Sequence, residues 1–67
     1  MYIFDSDIFR AKLKDSNMKQ CELAKHTHIT ESAVSKYLSG ERIPNINNLF
    51  KICEVLDVPA DYFIVRL

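Results

Sequence analysis

Apolar and polar residues alternate with a helical rather than a strand-like period through the middle of this chain. The apolar positions recur three or four residues apart, the spacing that places side chains on one face of a helix. The pattern predicts five helices. They are a first helix that follows Asp5-Ser6 and runs out at 15–17, then helices over about 19–27, 31–39 and 46–56, and a short fifth one over 59–63.

The same spacing predicts the core. The expected inward residues are Ile8, Phe9 and Leu13 in the first helix, Leu23 and Thr27 in the second, Ile29, Val34 and Tyr37 around the third, and Ile46, Leu49, Ile52 or Cys53, and Leu56 in the fourth. Ala24 lies beside Leu23 and is small enough to let a second helix approach closely. Arg10, Lys12 and Lys14 are expected to face outward.

Residues with capping preferences stand at the predicted helix ends. Asp5 or Ser6 can cap the first helix, and Thr30 and Asn45 can cap the third and fourth, because their side-chain oxygens accept from free backbone N–H groups. Gly40 ends the third helix as the residue after its last turn. Pro59 suits the first position of the short fifth helix.

The two chain ends are short apolar runs of β-favouring residues, at 2–4 and 63–65. Three arrangements are open for them: packing on the core, pairing with each other, or contact with a partner subunit. We expect the run 62–67, together with 2–4, to form a dimer surface. Full burial of Phe4 or Ile64 inside one chain would exclude that surface.

Length and composition bound the class of protein. The 67 residues, 1–67, form a single domain without a repeat or linker, and no stretch approaches the roughly 20 apolar residues of a membrane span. The start lacks the order of a signal peptide. We therefore expect a cytoplasmic protein, associated with the nucleoid and of bacterial or phage type, with Cys21 and Cys53 as free thiols.

The charge is zero overall but unevenly distributed. Nine basic residues balance nine acidic ones, yet the segment 10–42 has a net charge of +3 and the two ends together −3. Zero net charge weighs against nucleic-acid binding, because phosphate contacts need Lys and Arg. A dipolar protein can still bind DNA through its basic face, with modest non-specific affinity.

The stretch 20–40 is the most informative part of the sequence. It predicts two short helices joined by a tight turn at His28-Ile29, with small and apolar residues where the helices cross. The second of these helices carries short polar residues on the face left outside. This arrangement is how a small protein inserts one helix into the major groove of DNA.

Three motifs resemble the lambda-repressor-like helix-turn-helix family, also called the Xre family. They are Q-x-x-L-A from Gln20, I-T-x-x-x-V-S-x-Y-L-x-G from Ile29, and R-x-P from Arg42, and the resemblance covers about 8–63. It implies an all-α compact bundle of four to five helices that binds operator DNA sequence-specifically. The implied protein is a transcriptional regulator, a repressor, that acts as a homodimer on double-stranded DNA without a cofactor.

Three residues depart from the family pattern. His28 stands where the family usually has glycine, at a turn position that needs a positive φ, which histidine tolerates better than most residues. Lys19 replaces the Ser or Thr that often opens the second helix. Glu31 replaces the glutamine frequent at the first recognition position, so the base contacts do not follow from the resemblance.

Glu31, Ser32 and Lys36 are the candidate base-reading residues. They share the exposed face of the helix over 30–39 when Val34 and Tyr37 are buried. Lys36 can donate to guanine or phosphate, Ser32 can bond either kind of base edge, and Glu31 can accept from cytosine N4. The alternatives are a solvated Lys36 and a Glu31 that only complements the helix dipole. Ala33 can touch a thymine methyl or simply favour the helix.

The candidate contacts to the DNA backbone come from residues around this helix. They are Gln20, Lys19, Ser35, Arg42 and Asn45. Gln20 lies in the first turn of the second helix, which crosses the phosphate backbone in this geometry. A solvated surface glutamine is the alternative reading of Gln20.

Other classes of function have weaker support. Cys21, His26 and His28 cannot supply four zinc ligands at suitable spacing, and no catalytic constellation is recognisable, so we expect no metal and no enzyme activity. The alternative is a protein-interaction module of the same fold, antitoxin-like or regulator-binding, which zero net charge and Glu31 favour. A positive face from Lys19, Lys36 and Arg42 would indicate DNA, whereas an exposed apolar patch there would indicate a protein partner.

Overall fold

Four helices form the body of the chain in a computed structural model that describes all 67 residues. They are α1 (Ser6–Asp15), α2 (Gln20–Thr27), α3 (Glu31–Ser39) and α4 (Ile46–Leu56). The predicted compact helical bundle is confirmed. The bounds of α3 and α4 agree with the prediction, and α2 begins one residue later than expected. None of these helices combines the length and apolarity needed to cross a membrane.

Side-chain caps fix the starts of three helices. The Asp5 carboxylate accepts from the N–H groups of Asp7 at 2.8 Å and Ile8 at 3.2 Å. Thr30 Oγ1 accepts from the Ala33 N–H at 3.2 Å, and Asn45 Oδ1 from the Asn48 N–H at 2.8 Å. The predicted caps are therefore confirmed, with Asp5 rather than Ser6 serving α1.

The start of α2 is capped in a different way, because the Lys19 side chain has no acceptor oxygen. Here the Glu22 carboxylate reaches back and accepts from the Lys19 backbone N–H at 2.9 Å. This is one half of a capping box. Gly40 follows the last turn of α3 and ends that helix with φ +82°, as predicted.

The two chain ends pair with each other. Strands β1 (Tyr2–Phe4) and β2 (Ile64–Arg66) form an antiparallel ladder with Ile3 opposite Val65. Two further backbone bonds extend it, from Asp5 N–H to Phe63 O at 2.7 Å and from Leu67 N–H to Met1 O at 2.9 Å. Of the three arrangements open at the sequence level, pairing with each other and packing on the core are the ones adopted.

An aromatic cluster attaches this small sheet to the helices. Phe9 of α1 lies 5.6 Å from Phe4 and 5.3 Å from Phe63 between ring centroids, and Phe4 and Phe63 are 5.9 Å apart. A two-stranded ribbon is marginal alone in water, so this packing is what stabilises it. Phe4 is only 8% exposed. Phe4 is therefore mostly used inside one chain, whereas Tyr2, Tyr62 and Leu67 of the expected dimer surface remain exposed.

Two expectations from the sequence are wrong. Residues 59–63 form successive turns rather than a helix, with Tyr62 N–H on Pro59 O and Ile64 N–H on Asp61 O, both at 3.0 Å. The chain must extend at Ile64 to join β1, so a full helix has no room to form.

Ile46, expected inward, is 72% exposed, because the first turn of α4 projects beyond the core.

The rest of the predicted core is in place. The buried members that the helical spacing predicted are Phe9, Leu13, Leu23, Thr27, Ile29, Val34, Tyr37, Ile52, Cys53 and Leu56. Phe4, Ala24 and Phe63 are also buried. Both Ile52 and Cys53 are buried, so α4 uses the two alternatives together. Ile8 and Leu49 are half-buried at its margin.

Enlarging Ala24 is expected to destabilise the fold. Ala24 is buried in α2, which packs against both α3 and α4, so the extra methyl groups of Ala24→Leu have no free volume. We expect a loss of about 1–3 kcal/mol in the free energy of unfolding, measured by urea denaturation. Ala11→Leu, at an exposed position of α1, is the matched control. Equal stability of the two variants would mean that no close helix crossing exists at Ala24.

Candidate nucleic-acid interface

A tight turn at His28 sets the angle between α2 and α3. His28 has φ +58° and ψ +31°, and the N–H groups of His28 and Ile29 both return to the Ala24 carbonyl. The Thr27 hydroxyl donates to the Leu23 carbonyl at 2.7 Å, so its polar atom is satisfied in the core. The left-handed conformation expected at His28 is confirmed.

Relieving the backbone strain at His28 is expected to stabilise the protein. A non-glycine residue in the left-handed region carries a steric cost that glycine does not. We expect His28→Gly to raise the free energy of unfolding by about 0.5–1 kcal/mol, less than the full strain because glycine gains entropy when unfolded. His26→Gly, inside the last turn of α2, should instead lower it by about 1 kcal/mol. Thermal denaturation of both variants distinguishes a backbone effect from loss of a histidine.

Buried anchors orient α3. Val34 and Tyr37 point into the core beside Ile29, as predicted, and Leu38 is half-buried at the margin. Tyr37 also receives a hydrogen bond on its hydroxyl from Asn48 Nδ2 of α4, at 3.0 Å. The opposite face of α3 is consequently turned toward solvent.

The three candidate base-reading residues lie on that outer face. Glu31 and Ser32 are exposed in the first turn of α3, and Lys36 is half-buried one turn further on. Neither the Glu31 carboxylate nor the Lys36 ammonium group has a hydrogen-bond or ion-pair partner within the chain. Ala33 is half-buried and packs against the core, which favours its role as a helix former.

The candidate phosphate contacts surround α3. Lys19, Ser35, Arg42 and Asn45 are exposed, and Gln20 is half-buried. Gln20 Nε2 lies 3.4 Å from the Glu31 carbonyl, which places the N-terminal ends of α2 and α3 side by side. The amide has two N–H donors, so one remains free for a phosphate.

The loop after α3 folds back onto that helix. The Arg42 backbone N–H donates to the Lys36 carbonyl at 3.2 Å, which brings these two basic residues close together. Asn45 uses its Oδ1 to cap α4, and its amide N–H groups remain free. The structure therefore joins candidates from α2, α3 and the loop into one surface.

The charges of this surface are unpaired. The single ion pair of the chain joins Arg10 to Asp7, on α1. Lys19, Lys36 and Arg42 accordingly have no acidic side chain within ion-pairing distance. No large apolar side chain is exposed on α2 or α3; the exposed apolar residues Ile43, Ile46 and Phe50 begin in the loop that follows.

A long-range contact at the far end of α3 has no signal in the sequence. The Arg10 guanidinium of α1 donates to the Leu38 carbonyl in the last turn of α3 and pairs with Asp7. A cation at a helix C-terminus also interacts favourably with the helix dipole. Nearby, a Cβ placed on Gly40 would lie 3.1 Å from Ser6 Oγ, so α1 approaches the end of α3 closely.

The cysteines and histidines do not form a metal site. Cys21 is exposed and Cys53 is buried, both as free thiols, and no three His, Cys, Asp or Glu side chains converge. Burial raises the pKa of Cys53, and the negative charge of Asp61 raises it further. Its thiolate is thus disfavoured both by desolvation and by the nearby charge.

The two thiols are expected to react differently with iodoacetamide. Because the thiolate is the reactive species, Cys21 should be alkylated in the folded protein while Cys53 remains protected. Mass spectrometry should find one adduct in buffer and two in denaturant, with the first adduct mapped to Cys21. Two adducts formed at the same rate in buffer would contradict the burial of Cys53.

Two packed helices, a tight turn and a polar outer face flanked by unpaired cations form a helix-turn-helix, the arrangement in which small DNA-binding proteins place a helix in the major groove. The chain belongs to the helix-turn-helix family of the lambda-repressor-like, or Xre, type, whose model matches residues 9–63. This is a family of DNA-binding regulators that is generally non-enzymatic. No curated protein matches the sequence closely enough to count as a relative.

Proposed function

We propose that this protein is a sequence-specific repressor that inserts α3 into the major groove of duplex DNA as a homodimer. The observation that carries the proposal is the outer face of α3. There Glu31 and Ser32 are exposed and Lys36 is half-buried, all without side-chain partners inside the chain, while Val34 and Tyr37 anchor the helix in the core. Polar groups left free on a rigid helix are available to base edges. Repression follows from occupancy, since a domain seated on an operator excludes other proteins.

Three side chains read bases in this proposal. Lys36 donates to guanine O6 or N7, and Ser32 bonds either kind of base edge. Glu31 accepts from cytosine N4, which its free carboxylate supports. A helix-dipole role for Glu31 alone remains the competing interpretation, and a Glu31→Gln exchange separates them, because a base contact changes the preferred sequence and a dipole effect does not.

The remaining candidates hold the protein on the phosphates. Lys19 and Arg42 contribute charge, Gln20 and Asn45 contribute amide N–H donors, and Ser35 contributes a hydroxyl. The free N–H groups at the start of α2 add to this set, since helix N-termini bind anions. Such contacts fix the register of α3 without carrying sequence information.

A second function is favoured by two observations. Ile43, Ile46 and Phe50 expose apolar surface, and the zero net charge weakens attraction to DNA in general. Both features suit a protein-interaction module of the same fold, antitoxin-like or regulator-binding. The apolar residues lie beyond α3 rather than on it, however, and the α3 face itself is polar, which favours DNA.

Selection from random duplex DNA tests the proposal. The purified chain is mixed with a random pool at two salt concentrations, and retained molecules are sequenced. We expect a palindromic site with half-sites about 10 base pairs apart, centre to centre, or a multiple of that, and affinity that falls as salt rises. Absence of enrichment at low salt would overturn the proposal in favour of the interaction module.

A further inference from the structure

A side-chain hydrogen bond joins α3 to α4, the two helices on either side of the loop over 40–45. Asn48 Nδ2, in the first turn of α4, donates to the Tyr37 hydroxyl of α3 at 3.0 Å. The closest helix packing in the bundle is between other pairs, namely α2 with α3, α2 with α4 and α1 with α3. The direct polar link between α3 and α4 is therefore this one bond.

Asn48 also connects this bond to the cap of α4. Its backbone N–H donates to Asn45 Oδ1 at 2.8 Å, while its side chain reaches Tyr37. Tyr37 is 3% exposed and adjoins Lys36 in the chain. The linked residues thus run from a candidate phosphate contact at the start of α4 to the helix that carries the candidate base-reading residues.

We propose that Asn48 is a positioning residue that holds α3 and the start of α4 in a fixed relative position, so that both reach the same stretch of DNA. Asn48 is half-buried and acts through its two partners, Tyr37 and Asn45, without reading a base itself. This role rests on the proposed function, which assigns α3 to the bases and Asn45 to a phosphate.

The two kinds of DNA contact differ in how much displacement they tolerate. Hydrogen bonds to base edges need donor–acceptor distances of about 2.7–3.2 Å and good alignment. Attraction between a cation and the phosphates extends over about 10 Å at moderate salt and is independent of sequence. Loss of the link between α3 and α4 should therefore weaken binding to an operator and leave binding to unrelated DNA nearly unchanged.

The competing interpretation is that the bond only satisfies a buried hydroxyl. An unpaired Tyr37 hydroxyl inside the protein would lower stability, and Asn48 supplies its partner whether or not DNA is bound. Both interpretations predict a less stable protein when the bond is broken, so stability does not separate them. The ratio of operator affinity to affinity for unrelated DNA does, because a folded protein with an undisturbed α3 keeps that ratio.

A double-mutant cycle on DNA tests the proposal. Asn48→Ala removes the donor, and Tyr37→Phe removes the acceptor oxygen while the ring still fills the core. Each single variant should lower operator affinity about 3- to 10-fold, the range expected for one hydrogen bond, and change affinity for unrelated DNA less than about 2-fold. The double variant should lose no more than either single variant, because all three lack the same bond.

Asn47→Ala and Tyr62→Phe are the matched controls. Asn47 is the exposed neighbour of Asn48 in the same turn of α4, and Tyr62 is an exposed tyrosine beside the terminal sheet. Both variants should bind the operator like the wild type. Fluorescence anisotropy gives the affinities, and circular dichroism at the assay temperature shows whether each variant is folded.

The outcomes that overturn the positioning role are distinct from failure of the proposed function. The role is overturned if either single variant keeps the wild-type ratio of affinities, or if the losses add in the double variant. Unfolding of both single variants would show that the bond serves stability alone, which also overturns it. A wild type that selects no operator is a different result: the proposed function fails, and the role of Asn48 fails with it.

Discussion

Phe9→Ala is expected to lower the free energy of unfolding by about 3–5 kcal/mol, the usual cost of removing a buried phenyl ring. Phe9 is fully buried and contacts both Phe4 and Phe63, so its loss leaves a cavity and detaches the terminal sheet from α1. Proteins are stable by roughly 0.05–0.15 kcal/mol per residue, so this loss is comparable with the whole stability of a chain of this size. Urea denaturation followed by circular dichroism measures it.

Phe50→Ala provides the control for this prediction. It removes the same side chain from an exposed position on α4, where the expected change is within about 0.5 kcal/mol. The comparison is made at low protein concentration, so that association does not contribute. If Phe9→Ala cost no more than Phe50→Ala, the aromatic cluster would not be what holds the two chain ends.

Lys36→Ala is expected to reduce affinity for the selected operator about 5- to 150-fold, the range that corresponds to about 1–3 kcal/mol for one good base contact. The free energy of unfolding should change by no more than about 0.5 kcal/mol, because the Lys36 ammonium group has no partner in the chain. Fluorescence anisotropy on the operator and on unrelated DNA, at several salt concentrations, gives both the affinity and its salt dependence.

The salt dependence separates two roles for Lys36. A base contact weakens operator binding far more than binding to unrelated DNA, whereas a phosphate contact weakens both alike and reduces the slope of log affinity against log salt by about 1. Lys25→Ala, at an exposed lysine in the last turn of α2, is the matched control and should leave operator affinity nearly unchanged. Unchanged binding of Lys36→Ala would remove Lys36 from the recognition surface.

Local features of the sequence were sufficient to predict the bounds and caps of most of the helices. The bounds of α3, its Thr30 cap and its Gly40 end agree with the prediction because each depends on residues within one or two turns of the others. Helical period likewise identified Val34 and Tyr37 as buried. Each of these features depends on residues that are close together in the sequence, so the sequence alone is enough to predict it.

Errors arose where the outcome depended on distant residues. The helical period identified the buried face of α4 but not how far along the helix the core extends. Ile46 was therefore expected in the core and instead lies on the surface. Residues 59–63 could start a helix, yet pairing of β2 with β1 requires extended chain at Ile64. A local helix propensity contains no information about a strand partner 60 or more residues away in the chain.

The candidate site likewise combines residues that the sequence predicted with supporting contacts that it did not. Residue types and helical position identified Glu31, Ser32 and Lys36 as an outward set. Glu31 and Ser32 are exposed and Lys36 is half-buried, while their roles at DNA stay predictions. The contacts of Arg10 with Leu38 and of Asn48 with Tyr37, which support α3 from two other helices, join residues 28 and 11 positions apart and were not foreseen.

By itself, then, the sequence determined the four helices, the caps of three of them, the left-handed turn at His28 and the family, because all of these follow from the order of neighbouring residues. Only the tertiary structure decided that the two ends pair, that Phe4 lies inside one chain, and that Ile46 and Phe50 remain on the surface. The physical reason is that burial depends on which elements pack together in space. The helical period indicates which side of a helix is apolar, but not which other element covers it.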